Sequence, residues 1–183
     1  YFQAVSGGMG PLGVQKGFEE FYRMGLIDKI PAIAGIQTEG CAPMAHAWKR
    51  NQDKVEPVIS PQTHIATLST GDPGRTYSLL RHRMLSTGGG MFEAVSDNET
   101  FRTMHTLAKL EGISVEPAAA VAFAGLIKLV HAGVVKPRQT VVVNCSGHTM
   151  PIERSILGNG WSRDVSVSSQ GKAETPQEGL LSA

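Results

Sequence analysis

Short apolar runs alternate with helical stretches along most of this chain. Strand-length runs rich in β-branched or aromatic residues predict strands at residues 1–5, 30–37, 91–95 and 139–144. Helical spacing and capping residues predict helices at residues 11–24, 42–50, 76–85, 96–111 and 117–132. The strands are continuous apolar runs, which is typical of parallel strands covered on both faces. The pattern therefore predicts an α/β fold of three layers, αβα, with a mostly parallel sheet.

The end of the chain differs from the rest, because it is polar and rich in Gly and Ser. We expect an α/β domain at residues 1–158 and a polar tail at residues 159–183. Thr175 and Glu178 form a capping box, but only five residues follow it. A helix this short is not stable alone, so we expect the gene product to continue. Residues 1–3 fit the first strand, although Tyr-Phe-Gln is also the tail of a common cleavage tag.

Composition narrows the possible functions. A formal net charge of +1 creates no field that would favour nucleic acid or an anionic membrane as a partner. The longest apolar stretch, Ala118–Val130, is interrupted by Lys128 and is too short to span a bilayer. Cys41 and Cys145 are far apart and form no Cys-x-x-Cys pattern, which argues against a disulfide framework and a zinc site. We therefore expect a cytoplasmic protein, because that compartment is reducing.

Glycine is frequent, with 21 residues, and one cluster lies where the first strand meets the first helix. This glycine loop is Ser6-Gly7-Gly8-Met9-Gly10. Backbone N–H groups in such a turn can point at one spot, and the helix N-terminus adds partial positive charge, so the loop favours phosphate. A tight turn without a ligand fits the same residues. The loop is neither a Walker loop nor a dinucleotide fingerprint, because the Lys and the glycine spacing are missing.

Two further segments bring polar groups to predicted element ends. Residues 115–120 open an apolar helix, and Glu116 there is a carboxylate between apolar elements, so we expect it to have a partner. Residues 143–149 follow a predicted strand at its carboxyl end, where open α/β sheets bind ligands. We interpret His148 as a local hydrogen-bonding residue. A Ser-His-Asp hydrolase is a poor fit, because the Gly-x-Ser-x-Gly elbow is missing.

In this order, the three segments resemble the fold-type II family of pyridoxal-phosphate enzymes. The glycine loop is similar to the loop that holds the cofactor phosphate. Residues 116–120 resemble the Glu-Pro-Ser/Ala-x-Ala helix start, and residues 146–148 resemble the Ser/Thr-Gly-His segment. The resemblance covers about Gln3 to Thr149. Further stretches resemble the threonine synthase branch of the tryptophan synthase beta superfamily: Gln37–Pro43, Ile65–Pro73 and Gly88–Asp97.

The resemblance implies the large α/β domain of such an enzyme, incomplete at its N-terminal side. It implies pyridoxal 5′-phosphate as cofactor, bound by Ser6, Gly7, Gly8, Met9, Gly10, Glu116 and Ser146. The loop would bind the phosphate, Ser146 the ring nitrogen, and Glu116 would line the pocket. The implied reaction is the lyase reaction of threonine synthase, from O-phosphohomoserine to threonine and phosphate. The implied partners are a small-molecule amino-acid substrate and, at full length, a second copy in a homodimer.

Parts of the family pattern are missing from this chain. The catalytic lysine and the Ser/Thr-Gly-Asn loop for the substrate carboxylate belong to an upstream segment, and neither pattern occurs here. We therefore expect no catalytic residue in this chain, whose lysines all fall in surface-like contexts. Many threonine synthases also carry Asn in the phosphate loop, where this chain has Ser6 and Met9. A cysteate synthase, cysteine synthase or threonine dehydratase type of enzyme stays open, as does a catalytically dead scaffold domain.

Overall fold

A computed structural model describes the chain from residue 1 to residue 149. Its strands are β1 (Phe2–Ala4), β2 (Ile33–Thr38) and β3 (Gly90–Val95). Its helices are α1 (Met9–Arg23), α2 (Pro43–Lys49), α3 (Arg75–Ser86), α4 (Asp97–Glu111) and α5 (Pro117–His131), with a short 3₁₀ turn at Ala66–Leu68. The predicted polar tail at 159–183 and its capping box at Thr175 lie outside the described residues.

The strands form a parallel sheet in the order β1-β2-β3, which confirms the predicted α/β fold. Side chains on the two faces of the sheet belong to two separate apolar clusters. Ile36 and Ala34 of β2 pack with Val121 of α5 on one face. Phe92 of β3 packs on the other face with buried residues of α2 and α3, including Met44, Tyr77 and Leu80. Helices therefore cover both faces of the sheet within the described residues.

Helix α5 lies very close to the sheet, because a glycine faces the central strand. A Cβ added at Gly125 would lie 2.5 Å from Cγ1 of Ile36. The neighbouring helix α4 begins where the sequence predicts. Ser96 Oγ accepts the N–H of Glu99 at 3.2 Å, and the Glu99 carboxylate accepts the N–H of Ser96 at 2.7 Å. This reciprocal capping satisfies two backbone donors at the helix start.

The predicted buried strand at residues 139–144 is wrong. This segment forms only an isolated parallel bridge, between Val143 and Phe2. The N–H of Phe2 donates to the carbonyl of Val142 at 2.8 Å, and the N–H of Asn144 donates to the carbonyl of Phe2 at 2.9 Å. Val143 packs against the α5 side, but Val142 is 57% exposed. A run of valines indicates an extended chain, but it does not reveal whether both faces are covered.

Charged side chains occupy the edge of β3. The Glu93 carboxylate accepts the N–H of Ala94 at 2.8 Å, and Lys128 Nζ donates to the carbonyl of Ala94 at 2.6 Å. Lys49 Nζ donates to the same carboxylate at 2.6 Å. Lys128 was predicted to be surface-like, but its side chain is 34% exposed and is held against this edge. These contacts satisfy backbone groups that an edge strand would otherwise present to another strand.

The Glu93 carboxylate should make stability depend on pH. Burial raises its pKa, but the hydrogen bonds from Lys49 and Ala94 and the charges of Lys49 and Lys128 outweigh burial, so the pKa lies below its usual value. A carboxyl with a lowered folded pKa stabilises the fold above its unfolded pKa of about 4.3 and loses that contribution as pH falls through the folded value. We expect Glu93→Gln to lower the free energy of unfolding by about 1 kcal/mol at pH 7, and by progressively less below about pH 4.

Urea titration of parent and variant across this pH range measures the effect. The matched control is Glu56→Gln, which removes an ion pair with Arg50 in which the Glu56 side chain is 71% exposed. We expect the control to change stability by less than about 0.5 kcal/mol. Equal losses in the two variants, or a Glu93→Gln deficit that persists at acid pH, would contradict the assignment.

Candidate functional site

The glycine loop connects β1 to α1 through an unusual backbone conformation. Gly8 is the N-cap of α1 and has a φ of +86°, in the left-handed region. A Cβ at Gly8 would also lie 2.8 Å from Cε of Met44 and 3.0 Å from Cγ2 of Thr76. The left-handed conformation therefore favours glycine, and a larger residue would also displace the end of the Met44 side chain.

The backbone N–H groups of the loop have no hydrogen-bond acceptor among the described residues. Among residues 1–149, no protein acceptor takes the N–H groups of Gly7, Gly8, Met9 and Gly10. Helix α1 also has no side-chain cap and no acidic residue in its first turn. Unpaired N–H groups and the positive end of a helix dipole together favour an anion. The donor set of this loop therefore fits a phosphate group.

A second segment, which carries Thr70 and Thr76, lies along the glycine loop. Its residues are not among the site residues predicted from the sequence. The hydroxyl oxygens of Ser6 and Thr70 are 2.5 Å apart. Further along the same segment, Thr76 Oγ1 lies 3.8 Å from Sδ of Met9. The stretch that resembles threonine synthase at residues 65–73 thus reaches the glycine loop. Its only signal in the sequence is that resemblance, because 64 residues separate Ser6 from Thr70.

The segments that carry two other predicted site residues, Glu116 and Ser146, come together at the start of α5. The N–H of Glu116 donates to the carbonyl of Gly147 at 3.2 Å, and Val115 forms an antiparallel bridge with His148. A Cβ at Gly147 would lie 2.4 Å from the Glu116 carboxyl, so a side chain at position 147 would displace that carboxyl. Glu116 is half-buried, and no hydrogen bond to its carboxylate forms within residues 1–149. The polar partner predicted for Glu116 is therefore not found among the described residues.

Ser146 and the glycine loop both lie on the side of the sheet where the parallel strands have their carboxyl ends. Val143 pairs in parallel with Phe2 of β1. The two segments continue in the same direction, one to Ser146 and the other to Ser6. Neighbouring strands are about 4.8 Å apart, so the two segments leave the sheet side by side. Ser146 is exposed, and its hydroxyl has no partner within the described part of the chain. This open hydroxyl can donate or accept one hydrogen bond.

Lysines near these segments in sequence are engaged elsewhere. Lys16 forms an exposed ion pair with Glu20 on α1, at 2.5 Å. Lys128 is held at the edge of β3 by the carbonyl of Ala94, as described above. Neither amine contacts the glycine loop or Ser146, so neither of these two lysines lies at the predicted cofactor site.

Other features of the described residues do not compete with this site. A cleft of about 520 Å³ is lined by the end of α1 and residues 86–88, and a smaller one of about 140 Å³ by α2 and residues 56–58. Neither cleft includes a residue of the glycine loop. Within residues 1–149, no cluster of three or more His, Cys, Asp or Glu could hold a metal ion. None of the helices there has the length and apolar character needed to cross a bilayer.

Comparisons with known proteins find related sequences. The profile of the family described as "Pyridoxal-phosphate dependent enzyme" matches residues 1–147. The threonine synthase of Methanosarcina acetivorans is 36% identical over 144 residues, which are 79% of this chain and 35% of that protein. The cysteate synthase of the same organism is 31% identical over 161 residues, which cover 80% of this chain and 38% of that protein. The match thus spans little more than a third of each relative.

A solved structure has the same fold. The processed form of threonine deaminase isoform 2 from Solanum lycopersicum superposes with a TM-score of 0.58 at 16% identity. The superposition covers 88% of this chain and 43% of that chain. At this identity the likeness supports the α/β architecture of residues 1–149 and leaves the reaction to be argued from the site.

Proposed function

This chain belongs to the family of pyridoxal-phosphate-dependent enzymes, and we propose that its glycine loop holds the phosphate of that cofactor. The observation that carries the proposal is the set of open N–H groups on Gly7, Gly8, Met9 and Gly10, at a helix N-terminus without an acidic residue. A phosphate dianion only accepts hydrogen bonds, so it matches donors that have no acceptor within residues 1–149. The Ser6 hydroxyl adds a side-chain donor beside them.

We propose that Ser146 meets the nitrogen of the pyridine ring and that Glu116 lines the same pocket. The ring, when bound, supplies an electron sink for negative charge at the substrate α-carbon. A hydroxyl is a neutral partner, so Ser146 leaves the ring nitrogen largely unprotonated, whereas an Asp would stabilise its protonated form. The backbone hydrogen bond between Glu116 and Gly147 supports the proposal, because it holds the segment of Ser146 at the start of α5.

For the reaction, we propose a threonine synthase type of lyase that converts O-phosphohomoserine into threonine and phosphate. The support is the 36% identity to the threonine synthase and the segments at 37–43 and 65–73. A cysteate synthase type is the second candidate, supported by the 31% identity to such an enzyme. Release of phosphate from O-phosphohomoserine, compared with formation of cysteate, separates the two in the holoenzyme.

We propose that residues outside these 183 supply the catalytic lysine and the substrate carboxylate loop. The support is the coverage of 35% of the threonine synthase, the missing sequence patterns and the ion pairs of Lys16 and Lys128. On this view the chain contributes cofactor binding, and a homodimer would form at full length. A catalytically dead scaffold remains the contrasting hypothesis, and it predicts no turnover of any amino-acid substrate by the holoenzyme.

A charge placed in the loop should release the cofactor. Gly8→Asp puts a side chain where the backbone approaches phosphate, forces it into a left-handed conformation, and adds a charge that repels the dianion. Each charge-assisted hydrogen bond contributes about 1.5–3 kcal/mol, so the loss of two should weaken cofactor binding more than about a hundredfold. The measurement is the absorbance of cofactor that the holoenzyme retains after dialysis.

The control is Gly13→Asp, which adds the same charge on the exposed surface of α1, where an added Cβ would meet no atom within 4 Å. We expect this variant to retain cofactor like the parent. Retention at the parent level by Gly8→Asp would refute the phosphate assignment of the loop.

The 183-residue chain alone should form no specific covalent link with the cofactor. A reacting amine must be deprotonated and held at the aldehyde carbon, and neither Lys16 nor Lys128 lies at the site. The measurement is borohydride reduction in the presence of pyridoxal phosphate, followed by peptide mapping by mass spectrometry. We expect scattered, low-level labelling. A single lysine labelled in stoichiometric amount would show that the chain carries its own catalytic amine.

A further inference from the structure

The hydroxyl pair of Ser6 and Thr70 joins the glycine loop to a segment that has no assigned role. The oxygens are 2.5 Å apart, and either can be the donor. Between them the two hydroxyls carry two protons, and the bond between them uses one. The pair therefore has one proton left to donate to a third group. The neighbouring loop N–H groups have no acceptor within residues 1–149. An anion bound by these groups would lie close to the remaining proton.

We propose that Thr70 is a positioning residue for the cofactor phosphate. This inference rests on the proposed phosphate role of the glycine loop. A phosphate dianion only accepts, so its binding selects the arrangement in which Thr70 donates to Ser6 and Ser6 donates to phosphate. Hydrogen bonds in such a chain polarise one another, so the Thr70 hydroxyl strengthens Ser6 as a donor. Without Thr70, the Ser6 hydroxyl rotates freely among its staggered positions.

The segment that carries Thr70 is held in place by contacts that do not involve the loop. The N–H of Val58 donates to the carbonyl of Gly71 at 2.9 Å. A Cβ at Gly71 would lie 1.9 Å from the carbonyl oxygen of Val58, so the two backbones touch. Asp72 accepts the N–H of Gly74 at 2.8 Å and stabilises the turn that follows. Thr70 thus has a fixed position, which a residue that orients another side chain requires.

A purely structural role for Thr70 predicts different behaviour. If the hydroxyl pair only holds two loops together, its loss weakens binding of every ligand at the site and lowers stability. If Thr70 orients a phosphate donor, its loss weakens binding of pyridoxal 5′-phosphate and leaves binding of pyridoxal, which has no phosphate, unchanged. The ratio of the two affinities therefore separates the roles.

The test measures dissociation constants of both compounds for the apoenzyme of the parent, Thr70→Val and Thr70→Ser. Valine keeps the shape of threonine without the hydroxyl, and serine keeps the hydroxyl without the methyl. We expect Thr70→Val to bind pyridoxal 5′-phosphate about 3- to 10-fold more weakly, the loss expected for one hydrogen bond. We expect its binding of pyridoxal to be unchanged and Thr70→Ser to bind both compounds like the parent.

A Ser6→Ala background supplies a second measurement. There the Thr70→Val change should cost no further affinity, because Thr70 acts through Ser6. Should Thr70→Val fail to fold, Thr70→Ala provides the same comparison. Equal losses for both compounds, or an unchanged affinity for pyridoxal 5′-phosphate, would overturn the inference alone. A parent that does not prefer pyridoxal 5′-phosphate to pyridoxal would overturn the proposed function together with it.

Discussion

The left-handed backbone of Gly8 is the constraint on which the rest of the site depends. With φ at +86°, the chain turns from β1 into α1 in a short loop whose N–H groups have no protein acceptor among the described residues. A Cβ at Gly8 would also press against the Met44 and Thr76 side chains. An anion at this turn meets donors that are already oriented, so little ordering is needed when it binds.

The parallel sheet explains why distant parts of the chain reach this turn. Parallel strands have their carboxyl ends on the same side of the sheet, so the segment after Val143 leaves the sheet beside the loop after β1. Helix α5 starts at the same place, because Glu116 and Gly147 share a backbone hydrogen bond. At the outer side of β3, Glu93 and Lys128 hold the backbone groups of Ala94, and Lys49 pairs with the Glu93 carboxylate. The proposed binding site thus lies at the carboxyl ends of the strands, and the protected backbone lies along the lateral edge that β3 forms.

The features that the sequence predicts well are those with local causes. The Ser96 capping box, the Pro117 helix start and the glycine loop each depend on residues within one turn of one another, so a single sequence reveals them. The misses depend on distant neighbours. Whether Val142 is covered, and whether Lys128 reaches β3, is decided by packing between separate elements. The contact of Thr70 with Ser6 also joins residues that are distant in sequence. Its only signal in the sequence is the resemblance of the Thr70 segment to threonine synthases.

The most direct test of the central claim is an NMR titration that follows the backbone amides of Gly7, Gly8 and Gly10. We expect these resonances to move together on addition of pyridoxal 5′-phosphate, and also of inorganic phosphate, and to stay in place on addition of pyridoxal. The cleft lined by Arg23, Lys29 and residues 86–88 provides an internal comparison, because its two basic side chains would attract an anion without the loop. Shifts confined to that cleft, with the loop amides unmoved, would contradict the account.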